Sequence, residues 1–238
     1  MVIDILLQVF LILLSVFLYL YIHEIPQKVL AKVRQHRNRP AVEAKRHFVI
    51  GAQILSQARS PSNSRSSAVS LAKKAEEEAT KSISLNPKDA APHILKALAL
   101  DLQGFKPSAL DSLDVALSPL AVKSLSEKEK GDALYKRAEL VMGMNKRGRV
   151  DSVIEDLTQA AKLNQENANA YRLLGECYEA KNMMEEAKSA YEEALRVQPE
   201  LASAKEALGR LGSYRKGGLC DVKGGRRHQS LDAKLEIV

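Results

Sequence analysis

Between residues 171 and 197 apolar and small side chains recur with the period of a helix, twice over, and the pattern then stops at a proline. Tyr171, Leu174 and Tyr178 stand at i, i+3 and i+7, so they share one face of a first helix. Gly175 lies one step beside that face, where a missing side chain lets a second helix come close. Ala187, Tyr191 and Ala194 repeat the logic at i, i+4 and i+7, the two alanines allowing close approach and Tyr191 filling the space between them. Pro199 cannot continue a helix and disfavours helical backbone at Gln198, which closes the pair. The prediction is an antiparallel helical hairpin.

One hairpin cannot bury its own apolar face, and the same phase recurs upstream. Ala97, Leu100, Ala109, Leu113 and Ala116 fall where Gly175, Tyr178, Ala187, Tyr191 and Ala194 fall, with His93 in place of the opening aromatic. A further copy has Ala138 and Val141, then Val153, Leu157 and Ala160, joined by a long turn from Met144 to Arg149. The earliest copy has Gly51 and Ile54, then Ala75, Ala79 and Ser82, and is closed by Pro87. Its two helices flank a polar stretch, residues 60–67, expected to form a mobile loop. Residues 201–211 place Ala204, Leu208 and Leu211 on one side and Lys205, Glu206 and Arg210 on the other, which predicts a capping helix.

Tyr171, Leu174, Gly175, Tyr178, Ala187, Tyr191, Ala194 and Pro199, taken together, resemble the signposts of a tetratricopeptide repeat, a helix pair of about 34 residues. The resemblance extends over residues 41–212. It implies an all-α solenoid of antiparallel helix pairs, about four repeats and a capping helix, that holds a protein partner and performs no chemistry itself. In that family the concave groove is lined by first-helix positions between the packing positions. Those positions are Ala91, Ile94, Leu95, Leu98 and Leu102, then Asp132, Tyr135, Lys136, Glu139 and Met142, then Asn169, Arg172, Glu176 and Glu179. The partner is expected on Ile94, Leu98, Tyr135, Lys136, Glu139, Arg172 and Glu176. The carboxylate clamp that some members close on chaperone tails is not expected, because Phe48, Ala52, Leu95 and Asp132 stand where it needs polar or basic groups, and only Lys136 suits it.

Ahead of these repeats, Ile5 through Ile22, with Leu13 and Phe17 among them, is apolar apart from Gln8 and Ser15. About 20 such residues span a bilayer, so residues 1–25 are expected to be a transmembrane signal anchor in the lipid bilayer. Residues 26–40 follow as a basic juxtamembrane linker. After the apolar run Lys28, Lys32, Arg34, Arg37, Arg39, Lys45 and Arg46 outweigh Glu24 and Glu43, which predicts a lumenal or outer N-terminus and cytosolic repeats. The expected membrane is that of the endoplasmic reticulum or secretory pathway, with an organelle outer membrane as the alternative.

The formal net charge of +7 changes meaning once it is divided along the chain. The excess lies in the stretch above and in residues 213–238, where six basic residues face three acidic ones, leaving residues 47–212 balanced. That tail is expected to be disordered. A nucleic-acid binder needs basic residues on the folded surface, interleaved with aromatics, so no nucleic-acid partner is expected. Cys177 and Cys220 have no metal or redox spacing, and the five histidines have no close Cys or carboxylate at ligand spacing along the chain. No catalytic residue, cofactor, metal or small-molecule substrate is therefore expected. The reading is a membrane-anchored adaptor or scaffold, with a structural subunit of a membrane protein complex as the alternative.

Overall fold

The computed structural model describes residues 2–22, 25–144 and 149–212. Regular structure among them is helical throughout: α1 Val2–Ile22, α2 Ile25–Ala58, α3 Arg65–Leu85, α4 Ala90–Gln103, α5 Lys106–Ala116, α6 Glu127–Gly143, α7 Val150–Leu163, α8 Ala168–Ala180, α9 Met184–Val197 and α10 over 202–212. A 3-10 turn, Val122–Ser124, precedes α6. The helices fall into two compact units, Met1–Gln103 and Gly104–Val238.

In the first unit α2, α3 and α4 pack on one another. Their core is built mostly from small residues, with Ala75, Ala79 and Ala99 fully buried beside Leu55 and Leu95. Small side chains bring helix axes close, and Gly51 shows how close: a Cβ there would lie 3.0 Å from Leu95 Cδ2 and 3.2 Å from the Ala75 carbonyl. Two polar links fix the register. Ser82, fully buried, donates its hydroxyl to the Ala44 carbonyl at 2.7 Å, and His47 Nδ1 meets Glu78 Oε2 at 2.6 Å. Half of the polar stretch expected as a loop, residues 64–67, is cap or helix. Ser64 caps α3 by accepting from the Ser67 amide, Arg65 already begins the helix, and Asn63 Nδ2 donates to the Gln57 carbonyl at 2.6 Å. Serines near a helix start favour this role because their hydroxyls satisfy orphan amides.

The second unit uses larger knobs. Leu134, Val141, Leu157, Leu173 and Leu174 fill the space among α6, α7 and α8. Tyr191, 1% exposed, sits between α8 and α10 with Ala187, Ala194, Ala204 and Ala207 around it. A Cβ at Gly175 would stand 2.6 Å from the Tyr191 ring, nearer than real carbon contacts come, so the ring occupies the recess that glycine leaves. Ser126 and Glu129 form a reciprocal capping box at the start of α6. Asn182 turns the chain from α8 into α9 at φ 58, a left-handed conformation that asparagine tolerates.

The N-terminal expectation requires correction. Among the described residues, no helix is long and apolar enough to cross a membrane. The expected single-pass localisation, its lumenal N-terminus and its choice of membrane are withdrawn on that finding. Ile5, Leu13 and Phe17 are instead found exposed on α1, and the side chain of Ile22 lies outside the described residues. Residues 26–40, expected as a linker, belong to α2, which continues through Pro40. The tail 213–238, with Cys220, and the middle of the long turn, 145–148, also lie outside the described residues.

Candidate protein-binding face

Three of the proposed contact residues come from α6, because Tyr135, Lys136 and Glu139 recur at helical spacing on the side away from buried Leu134, Ala138 and Val141. Glu139 gathers the other two: the Tyr135 hydroxyl donates to its Oε1 at 3.1 Å and Lys136 Nζ to its Oε2 at 2.6 Å. On α8 Arg172 donates to Glu176 one turn along. The two helices meet at Tyr135. Burial pushes its hydroxyl up to about 12, the Glu139 charge adds to the effect, and Arg172 pulls the other way. The structure thus brings Tyr135, Lys136, Glu139, Arg172 and Glu176 onto one face of the second unit.

Exposure within that face is uneven. The Lys136 and Arg172 side chains are 21% and 20% exposed, while their carboxylate partners Glu139 and Glu176 are 40% and 42% exposed. The cations lie against the helices on their aliphatic stems, as long basic side chains do, and the carboxylates stand outermost. Asp132 is exposed at the beginning of α6, where Asn164 and Asn167 each donate an amide to its Oδ1 at 2.7 and 3.2 Å.

Ile94 and Leu98 belong to α4 in the other unit. Leu98 packs partly against Leu55, Leu95 and Ala99, and Ile94 is half-buried. Leu95, considered for the groove on sequence grounds, is a core residue at 4% exposure. The apolar lining expected on α4 therefore loses Leu95, while Ile94 and Leu98 keep part of their surface. His93, which replaces the opening aromatic, is buried, with Nε2 3.2 Å from the Pro87 carbonyl.

Sequence reasoning missed a second polar assembly. Arg137 clasps Asp156 through Nε and Nη2 at 2.8 and 2.5 Å and reaches Asp114 at 3.3 Å, tying α5, α6 and α7 together. These residues line a cleft of about 300 Å³ with Leu110, Val141 and Arg149. The signal was available: Arg137 occupies the position that Leu174 holds in the next pair, and a charge on a packing face requires a partner. Cys177 is fully buried, its Sγ 3.9 Å from Met142 Sδ. Burial pushes its thiol up to about 11, away from the reactive thiolate. Among the described residues no group of His, Cys, Asp and Glu is arranged to hold a metal ion.

Residues 145–211 match the tetratricopeptide repeat family model. No curated protein matches the sequence. Among solved structures, MamA from Desulfovibrio magneticus RS-1 is similar at a TM-score of 0.57 and 17% identity, over 76% of this chain and 90% of that one. The APC/C hetero-tetramer Cut9-Hcn1 superposes at 0.58 with 18% identity, over 71% of this chain and 30% of the matched one. YrrB, described as a repeat protein with an unusual peptide-binding site, gives 0.51 and 19% over 63% of this chain and 72% of its own. At such identities the likeness speaks for the fold. Helix pairing, the Gly175–Tyr191 contact and the matched segment together identify a tetratricopeptide-repeat-like, all-helical protein.

Proposed function

We propose that this protein is a binding adaptor or scaffold that receives a segment of a partner protein on the face formed by α6 and α8. The observation carrying this reading is the convergence of Tyr135, Lys136, Glu139, Arg172 and Glu176 from two helices, part-exposed and joined by hydrogen bonds and ion pairs at the edge of the core. Ion pairs at the rim set orientation and encounter rate more than affinity, and a half-buried tyrosine supplies rigid contact area. Ile94 and Leu98 offer the first unit a smaller apolar contact. A carboxylate clamp is not part of the proposal, since the outward groups are themselves carboxylates. A second reading, a subunit of a larger assembly, draws on α1, whose apolar side chains are exposed on every side and need cover.

Affinity capture from lysate with the full chain, beside a Tyr135→Ala/Arg172→Ala variant whose helicity is verified by circular dichroism, tests the first reading. A specific protein held by the native chain and lost by the variant supports it. Equal capture by both contradicts it and directs attention to α1.

A further inference from the structure

From Arg59 to Ser67, where α2 turns into α3, the chain sets serines at 60, 62, 64, 66 and 67 between two arginines, Arg59 and Arg65, and past the second. Three of these serines already serve the helix. Ser64 Oγ accepts from the Ser67 amide at 3.3 Å and lies 3.1 Å from Ser66 Oγ, while Ser66 and Ser67 stand inside α3. Ser60 is half-buried. Ser62 is exposed and outside both helices, its hydroxyl meeting that of Ser60 at 2.9 Å. It has Arg59 three residues before it and Arg65 three after it. That charge pattern suits a basophilic protein kinase, whose acidic pocket takes an arginine at this spacing.

A charged group added at Ser62 has a place to dock. α3 begins with Arg65 and has no acidic residue in its first turn, so the positive end of the helix is uncompensated. Ser64 satisfies the Ser67 amide, whereas the amides of Arg65 and Ser66 precede any intrahelical acceptor. Ser62 stands two residues before this cap, within about 7 Å along the chain.

We propose that Ser62 is a phosphorylation site and that its phosphate caps α3. The Oγ–phosphorus bond forms as the bond from the γ-phosphorus of a nucleoside triphosphate to its bridging oxygen breaks. The hydroxyl proton passes to the kinase's base, and a nucleoside diphosphate leaves. The added group carries about −1.5 to −2 charges at pH 7 and three acceptor oxygens. It lies between Arg59 and Arg65, accepts from the first amides of α3 and tightens the turn.

The full chain, incubated with the catalytic subunit of cyclic-AMP-dependent protein kinase and magnesium ATP, tests the site by mass spectrometry. Ser62 should be labelled ahead of Ser60, Ser64 and Ser66. Arg59→Ala should cut its initial rate several-fold and leave unchanged the rate at Ser230, which has its own arginine, Arg227, three residues before. Labelling of Ser60 or Ser66 ahead of Ser62 overturns the assignment, as does a Ser62 rate indifferent to Arg59. So does an unlabelled Ser62, whether or not Ser230 is labelled. Hydrogen exchange reads the cap. Amides 65–67 should exchange several-fold more slowly in the phosphorylated chain than in the unmodified chain at the same pH. That gain should shrink below about pH 6, where the phosphate takes up its second proton. Equal exchange in the two chains overturns the capping role.

Discussion

The helix pairs α2–α3 and α8–α9 solve one packing problem with different residues. In α8–α9 a large knob, Tyr191, enters a recess left by Gly175. In α2–α3 the corresponding residues are Ala79 and Gly51; there is no knob, and neighbouring backbone and the Leu95 side chain close on the glycine directly. Ser82 holds the position of Ala194 and substitutes a buried hydrogen bond to the Ala44 carbonyl for apolar contact. The architecture therefore depends on close approach at the glycine, and the aromatic is one way of filling what remains.

The contrast between the two pairs breaks most visibly at the knob. Tyr191→Ala should cost about 3–5 kcal/mol because its ring is fully buried, and hydrogen exchange should show α8 to α10 loosening while α2 to α4 keep their protection. Next come the recesses. Gly175→Ala places a methyl group 2.6 Å from a ring that cannot retreat and should cost about 1–3 kcal/mol, read as a lower urea midpoint. Gly51→Ala meets a leucine end at 3.0 Å and the Ala75 carbonyl at 3.2 Å, less close than the ring at Gly175, and should cost less than Gly175→Ala in the same assay. Reversal of that order would show that helix separation, not the ring, sets the tolerance. Ser82→Ala should cost about 1 kcal/mol, the usual net worth of a buried hydrogen bond, with faster exchange confined to α2 and α3.

The smallest effects are those of pH, and they separate the units. Hydrogen bonds from Lys81 and then His47 hold the Glu78 carboxyl below its ordinary 4.5. Its contribution is complete above that value and is lost as pH falls through the lowered one, loosening α2–α3 in acid. Tyr135 behaves oppositely. Its raised folded value keeps the hydroxyl protonated, so its contribution is whole below pH 10 and is lost as pH rises from 10 to about 12. Residue-resolved amide exchange across both ranges should find acid sensitivity at Glu78 and alkaline sensitivity at Tyr135. Uniform loss across both units would contradict the assignment.

Legibility in the sequence follows residue size. Tyr191 and Gly175 announce their pair because a large and an absent side chain must be complementary. The α2–α3 pair is legible only by phase, since alanines carry little positional information, and the roles of Ser64, Asn63 and Ser82 as caps and rivets are invisible without coordinates. Hydropathy over-reads the N-terminus: an unbroken apolar run suggests a bilayer span that the described helix does not supply. In the candidate face, spacing alone places Tyr135, Lys136 and Glu139 on one side of a helix. That Arg172 lies beside Tyr135, that carboxylates stand outside cations, and that Leu95 faces the core all depend on how neighbouring helices rotate, which periodicity does not specify.

Hydrogen exchange on the full chain, with and without a saturating captured partner, would locate the binding face. New protection should concentrate in α6 and α8, around Tyr135–Glu139 and Arg172–Glu176. Protection confined to α7 and α9, or to α1, would refute the proposed face.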